Sequence, residues 1–298
     1  MTTDQIVMER PTAITMAPRG STLKTILLHV QDDKSLDQRI ESGLSLARAS
    51  CAHLNCLHVT PIEAYVAFDT FGGVFVMNEV MKALDDEEAR IRSKVEDKLR
   101  GEDVSWDYTQ VTGNVASHII NYSALADLVV VGREPHRSDL VKSNISLFGD
   151  LLQRSGTPLF IPAEDGAPSD VTGAALIAWD GSYEAANAVR LSVGLLKLAA
   201  EVRIIQIEEE KDETFPNTRL LEYLSRQGIH AELVLEPARE GLNDQQAISA
   251  SLMATARAAN AAYVVMGGYS HNRIAEYIFG GVTRTMLSGS IVPLVIAR

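Results

Sequence analysis

Short apolar segments alternate along this chain with longer segments in which apolar residues recur every three or four positions. The short segments are rich in β-branched residues, which is typical of buried strands; in the first half they fall at 25–30, 54–59, 104–108, 128–131 and 158–161. Helical spacing follows, as in Leu36, Ile40 and Leu44, after Ser35 and Gln38, which have the form of a capping box. Alternating strands and helices predict a parallel sheet covered on both faces.

The same pattern starts again near residue 174, so the chain contains an internal repeat. Strands are predicted at 174–179, 202–207, 231–235, 263–266 and 294–296. The spacing from Gly132 to Pro158 equals the spacing from Gly267 to Pro293. The first half is longer before its fourth strand, and we place the additional residues within 61–100.

These observations divide the chain into two domains of ordinary size. We assign 21–162 to the first domain and 174–298 to the second. A segment rich in Pro, Gly, Ser and Asp, 163–173, is the linker between them. Residues 1–20 are polar and mixed, and we interpret them as a flexible extension or a strand-like arm.

Two glycine pairs lie between the fourth predicted strand and the last predicted helix of the second half. Gly267-Gly268 follows the 263–266 strand, where glycine permits a sharp turn or a close approach of a ligand. Gly280-Gly281 precedes a helix predicted from Val282. A helix N-terminus presents unpaired N–H groups and partial positive charge, which suits a phosphate.

This arrangement resembles the universal stress protein family, whose motif is G-x2-G-x9-G-[ST] between a strand and a helix. Gly267 and Gly280 match that motif, whereas Ser270 and Gly281 depart from it. The resemblance covers nearly all of the chain except 1–20 and the linker. It implies a Rossmann-like, doubly wound parallel sheet of five strands per half in the order 3-2-1-4-5. It also implies pairing of the halves through their fifth strands, Leu159–Ile161 and Leu294–Ile296, and it is compatible with a homodimer.

In such sheets, ligands lie beyond the carboxyl ends of the strands where the strand order reverses. The resemblance implies an adenine nucleotide there, ATP or AMP with or without Mg²⁺. Asp180 would contact the adenosine, Ile207 the base, and Ser270 a phosphate, and Thr283 would supply the hydroxyl that the motif lacks at Gly281. The implied nucleotide site comprises Asp180, Ile207, Gly267, Ser270, Gly280, Gly281, Val282 and Thr283.

Two features of this site also have a purely structural explanation, whereas Gly280-Gly281 is harder to explain in that way because two glycines at a helix start cost backbone entropy. Asp180-Gly181-Ser182 is a sufficient turn with Ser182 as a helix cap. Gly267-Gly268 is explained by the turn alone. Both explanations stand beside the functional one.

The first half departs further from the motif, because Pro135 and Ile145 stand where glycines are expected. Pro135 lacks an N–H, and Ile145 would direct a side chain toward the phosphate position. Gln31 takes the place of Asp180. We therefore predict that the first half does not bind a nucleotide in the manner of the family.

Composition narrows the function classes. The net charge is −12 and the pI is near 5.1, which argues against a nucleic-acid or anionic-membrane surface. The apolar runs are too short to cross a bilayer, and the N-terminus lacks a signal pattern, so we expect a cytoplasmic protein. Two cysteines provide no disulfide framework.

We find no sequence pattern for catalysis or metal binding that outweighs a structural explanation. Cys51, His53, Cys56 and His58 are residue types that bind zinc, but the last two lie within a predicted strand, and we expect no metal site. There is no G-x-x-x-x-G-K-[ST] and no G-x-S-x-G. We expect no enzyme activity beyond, at most, slow ATP hydrolysis.

Three functions remain. The favoured hypothesis is a nucleotide-binding sensor or regulator of a stress response that acts on an unknown protein partner. The second is a scaffold or partner-binding module of the same fold without nucleotide. The third is a nucleotide-using enzyme such as an adenylating ligase, which the lack of a reactive group disfavours.

Overall fold

We describe the protein from a computed structural model, which covers residues 7–9, 22–61, 74–133, 144–163, 170–207, 215–236, 244–268 and 281–298. The strands are β1 (Val7–Glu9), β2 (Thr25–Val30), β3 (His53–Pro61), β4 (Trp106–Gly113), β5 (Leu128–Val130), β6 (Leu159–Ile161), β7 (Ala174–Ala178), β8 (Glu201–Ile207), β9 (Ala231–Glu236), β10 (Ala261–Gly267) and β11 (Leu294–Ala297). The helices are α1 (Leu36–Ser50), α2 (Val74–Leu99), α3 (Val115–Ser123), α4 (Asn144–Arg154), α5 (Tyr183–Leu191), α6 (Val193–Leu196), α7 (Asn217–Arg226), α8 (Asp244–Ala258) and α9 (Gly281–Gly289).

All these strands form one sheet in the order β1-β4-β3-β2-β5-β6-β11-β10-β7-β8-β9. Within the first half the order β4-β3-β2-β5-β6 is 3-2-1-4-5 in repeat numbering, and the second half repeats it from the opposite edge. Neighbouring strands within each repeat are parallel. The predicted fold class is confirmed.

The halves join through their fifth strands, as predicted. β6 and β11 pair antiparallel, with Phe160 opposite Val295, and both strands are fully buried. Arg133 adds a second link between the halves. Its guanidinium donates to the carbonyls of Pro162 at 2.9 Å, Ser290 at 3.0 Å and Val292 at 3.5 Å.

Two hydrophobic cores lie on the two faces of this sheet, and each contains residues of both halves. Helices α1, α2, α5, α6 and α7 cover one face, and α3, α4, α8 and α9 cover the other. Alternate residues of a strand serve alternate cores, as Ile177 and Leu176 of β7 do. Among the described helices, none combines the length and the apolar character needed to cross a membrane.

The structure agrees with two details of the sequence prediction and differs from a third. The additional residues of the first half do lie within 61–100, where α2 has 26 residues and its counterpart α7 has ten. Part of the N-terminal extension is a strand, β1, paired antiparallel with β4. The predicted capping box is wrong, because Ser35 forms no cap hydrogen bond to the helix and instead donates its hydroxyl to Asp33.

The shared sheet and cores predict that the two halves unfold together. Phe160→Ala should lower the free energy of unfolding by about 3–5 kcal/mol, because it removes a fully buried ring. Each half contains one buried tryptophan, Trp106 and Trp179, so Trp106→Phe and Trp179→Phe backgrounds report on the two halves separately during urea denaturation.

We expect Phe160→Ala to move both tryptophan transitions by the same amount. Leu125→Ala is the control, because Leu125 is 91% exposed and its truncation should change little. A shift confined to the Trp106 signal would contradict the cooperative description.

Candidate functional site

The second half brings several predicted site residues to one edge of the sheet. Asp180 follows β7, Ile207 ends β8 and Gly267 ends β10, and these three strands are neighbours. The carboxyl ends of parallel neighbours meet at the same edge, and strand order reverses at β7. The candidate crevice is therefore the space beyond the ends of β7, β8 and β10.

Asp180 holds the turn that leads into helix α5. Its Oδ1 accepts hydrogen bonds from the backbone N–H of Ser182 at 3.0 Å and from the Ser182 hydroxyl at 2.6 Å. The Ser182 Oγ in turn accepts from the backbone N–H of Ala185 at 3.1 Å, as a helix cap does. Asp180 itself is exposed, and among the described residues no group donates to its Oδ2.

Glycines at the end of β10 permit close packing. A Cβ at Gly267 would lie 2.6 Å from the backbone nitrogen of Ala185, so the first turn of α5 packs directly on this position. A Cβ at Gly268 would lie 2.4 Å from Ile296. Both glycines are thus required by the packing of the polypeptide, whatever else they do.

Helix α9 begins at Gly281 beside the start of α8. A Cβ at Gly281 would meet the side-chain amide of Gln245, near the N-terminus of α8. Val282 is half-buried against the core, and Thr283 is 6% exposed on the packed side of α9 with Met286 and Leu287. The hydroxyl of Thr283 therefore belongs to the inner face of the helix.

The remaining predicted residues are only partly covered by the structure. Ile207 is half-buried and packs at the margin of the core on the α8 side. Ser270 and Gly280 lie outside the described residues. Of the first-half positions, Pro135 lies outside them as well, and Ile145 is the second residue of α4, with only its backbone described.

In the first half, a buried arginine fills the equivalent position between β2 and β5. Arg39 of α1 is fully buried, and its Nη1 donates to Asp33 Oδ2 at 2.8 Å and to the Ser35 hydroxyl at 2.6 Å. Its other nitrogens donate to the carbonyls of His29 and Gln31. The guanidinium is thus anchored by several hydrogen bonds at once.

Arg39 also excludes any side chain from Gly132 at the end of β5. A Cβ there would lie 1.9 Å from Nη1 of Arg39. Gly132 corresponds to Gly267 in the repeat, so one glycine accommodates an arginine and the other accommodates a helix end. The sequence contained a signal for this buried arginine, because Arg39 directly precedes Ile40 and falls on the inner face of α1.

The carboxylate at the first-half turn is shifted along the chain. Gln31 follows β2 at the sheet position that Asp180 occupies after β7, as predicted from the repeat. However, Asp33 makes the contacts that Asp180 makes, because its Oδ1 accepts from the N–H and the hydroxyl of Ser35. The loop after β2 is two residues longer than the loop after β7. Asp180 therefore matches Gln31 by position in the sheet and Asp33 by its hydrogen bonds.

Helix α2 further covers the carboxyl edge of the first half. Arg90 donates to Asp32 in the loop after β2, at 2.6 Å. Glu88 accepts from Thr60 near the end of β3 and from Gln110 of β4. The shorter α7 has no such extension, although the N–H of Phe215 donates to the carbonyl of Gly181 at 3.0 Å.

A shallow depression of about 310 Å³ lies elsewhere in the second half. It is bordered by Lys197, Glu201 and His230, at the amino end of β8. Ligands of doubly wound sheets bind at the opposite edge. This depression is therefore separate from the candidate crevice.

The four potential zinc ligands have other roles. Cys51 ends α1 with a φ of 52°, and His53 contacts Ser105 and Asp107. Burial and the nearby Asp107 raise the pKa of the Cys56 thiol, and the Tyr108 hydroxyl lies 2.9 Å from Nδ1 of His58. In the described part of the chain, no three His, Cys, Asp or Glu residues are grouped to hold a metal ion.

The Arg39–Asp33 pair makes a testable contribution to stability. Its side chains are 0% and 5% exposed, so Arg39→Met should lower the free energy of unfolding by about 3–5 kcal/mol by leaving a buried carboxylate unpaired. Asp33→Asn should cost a similar amount. The double variant should cost clearly less than the two single variants added, in a urea-denaturation double-mutant cycle.

Arg48→Met is the control, because the side chains of its pair with Glu102 are 45% and 35% exposed, and solvent-exposed pairs contribute less than about 1 kcal/mol. Strict additivity of Arg39→Met and Asp33→Asn would show that the two groups do not depend on each other.

Comparisons with known proteins agree on the architecture. No family model and no curated protein sequence matches the chain. A universal stress protein from Archaeoglobus fulgidus is 16% identical with a TM-score of 0.68, over 92% of this chain and 98% of that one. Two Pseudomonas aeruginosa proteins, one described as functionally unknown and one assigned to the universal stress proteins, are each 15% identical with TM-scores of 0.56; the alignments cover 93% of this chain and 92% and 93% of theirs. The chain therefore has the fold of the universal stress proteins, in a two-repeat form.

Proposed function

We propose that this chain is a tandem universal stress protein whose second half binds one adenine nucleotide, ATP or AMP, with or without Mg²⁺. Binding would stabilise the closed crevice of the second half and change the surface offered to a protein partner. The protein would act as a sensor or regulator of a stress response rather than as a catalyst. The proposal depends most on the contrast between the two crevices.

That contrast favours the second half as the ligand-binding half. In the first half, Arg39 fills the space beside Gly132, and α2 is bonded across the carboxyl edge through Arg90 and Glu88. In the second half, Ala188 and Ala185 line the buried side of α5, and no charged side chain comparable with Arg39 is found there among the described residues. One nucleotide per chain is the expected stoichiometry.

Asp180 supports a polar contact to the nucleoside. Its Oδ1 is used by the turn, whereas Oδ2 is available to accept from a ribose hydroxyl. The start of α9 favours a phosphate, but an exposed helix end contributes only about 0.3–1 kcal/mol per charge. Micromolar affinity requires about 8 kcal/mol, so the base must also be buried, and we assign that apolar contact to Ile207 at the end of β8.

The alternative, a scaffold or partner-binding module without nucleotide, is favoured by one observation. The contacts of Gly267 with α5 and of Gly281 with Gln245 account for both glycines without a ligand. Ser270 and Gly281 also depart from the family motif. Direct detection of a nucleotide separates the two functions.

We expect ATP or AMP to copurify with the full chain and to be released on denaturation, as measured by mass spectrometry. Calorimetry on the nucleotide-free protein should give one site per chain. A calorimetric stoichiometry of two nucleotides per chain would contradict the prediction that the first half does not bind one. Absence of any bound nucleotide would favour the scaffold alternative.

Asp180→Asn should weaken nucleotide binding by about tenfold or more, because a hydrogen bond to a charged group is worth about 1.5–3 kcal/mol. The asparagine oxygen can still accept from Ser182, so the thermal stability should change little.

Asp170→Asn is the matched control. Asp170 is exposed, and its Oδ1 likewise accepts from the N–H and the hydroxyl of a residue two positions on, Thr172. It should leave nucleotide affinity unaltered. Equal affinity in Asp180→Asn and the unmodified protein would remove Asp180 from the site.

A further inference from the structure

The two outer edges of the sheet are not equivalent. In the first half, the edge of β4 is covered by β1, which pairs antiparallel with it from Val7 opposite Tyr108 to Glu9 opposite Trp106. In the second half, β9 pairs only with β8 within the described part of the chain. β9 thus presents a row of backbone N–H and C=O groups able to pair with another strand.

An apolar row lies along this open edge. Ala231 and Leu233 pack against the core on the α7 side, and Leu235, which alternation places on the same face, is 53% exposed. Val130 and Val265 are equivalent in the repeat, and the strand registers lead from them to Tyr108 and Leu233. Two residues farther along each strand, Gln110 is therefore the first-half equivalent of Leu235. That glutamine is covered by Glu88 of α2, whereas the shorter α7 leaves the leucine uncovered.

We propose that β9 pairs antiparallel with β9 of a second copy of this chain, about a two-fold axis at Leu233. In this register Leu233 lies opposite Leu233, and Ala231 lies opposite Leu235, so the exposed leucine gains an apolar neighbour. The pairing is isologous and therefore closes as a dimer. It extends the sheet across two chains and does not depend on nucleotide binding.

Charge selects this register over its neighbour. On the opposite face, centring on Leu233 puts His230 against the partner's Glu236, which an imidazole N–H can bond, and Glu232 against the partner's Val234. Moving the axis to Val234 would set Glu232 against the partner's Glu236, and like charges directly opposite are destabilising. Charge therefore favours the register centred on Leu233 over the register centred on Val234.

The chain already uses this geometry once. β6 and β11 join the two halves as an antiparallel pair between equivalent strands of the repeat. A β9–β9 contact would repeat that arrangement between equivalent strands of two molecules. The N-terminal strand of each chain stays engaged with its own β4 and leaves β9 available.

Analytical ultracentrifugation of the full chain tests the proposal. The unmodified protein should sediment with twice the 32.4 kDa chain mass, and Leu235→Lys should raise the dimer dissociation constant by about tenfold or more. Leu125→Lys is the matched control, because it makes the same change at another exposed leucine, in the first half, and should leave the dimer intact. The proposal would be overturned if the unmodified chain were monomeric at its highest soluble concentration, or if Leu235→Lys left the dimer unaffected.

Cross-linking tests the register. Leu233→Cys should form a disulfide-linked dimer under mild oxidation, because only a residue on the two-fold axis lies opposite itself. The unmodified protein, with Cys51 half-buried and Cys56 buried, should form little. A dimer that is lost in Met8→Pro but retained in Leu235→Lys would place the contact on the N-terminal strand and refute the β9 contact.

Discussion

The antiparallel pairing of β6 with β11 is the interaction on which the rest of this structure depends. A five-strand parallel unit leaves its fifth strand at an edge, and here that strand is apolar on both faces. Pairing the two fifth strands within one chain removes both edges and lets each core continue across the junction. The two repeats therefore share one sheet and two cores.

Because the two halves share one sheet, they are free to differ at their carboxyl edges without loss of the fold. Arg39 is the clearest difference at the carboxyl edge of the first half. Its buried guanidinium satisfies Asp33 and two backbone carbonyls, so the space beside Gly132 holds a structural ion pair. Burying a charge is costly unless it is fully paired, and the set of acceptors around Arg39 meets that condition.

Periodicity in the sequence was sufficient to predict the strands, because apolar alternation is dictated by burial, whereas the strand order and the fifth-strand pairing were predicted from the resemblance to the universal stress proteins. It was less informative about residues that act through specific hydrogen bonds. Ser35 and Gln38 satisfy the capping-box pattern, but Asp33 and Arg39 compete for the serine hydroxyl. Loss of family-type nucleotide binding in the first half was predicted from Pro135, Ile145 and Gln31, whereas the space beside Gly132 is filled by Arg39, which the sequence prediction did not single out.

The glycines at the second crevice carry less information about function than their place in the motif suggests. The backbone of Ala185 approaches Gly267 so closely that an alanine there would be incompatible with the packing of α5, with or without a ligand. Asp180 is different, because the turn uses only one of its two carboxylate oxygens. An asparagine would preserve these hydrogen bonds, so the turn by itself does not require the second carboxylate oxygen at this position.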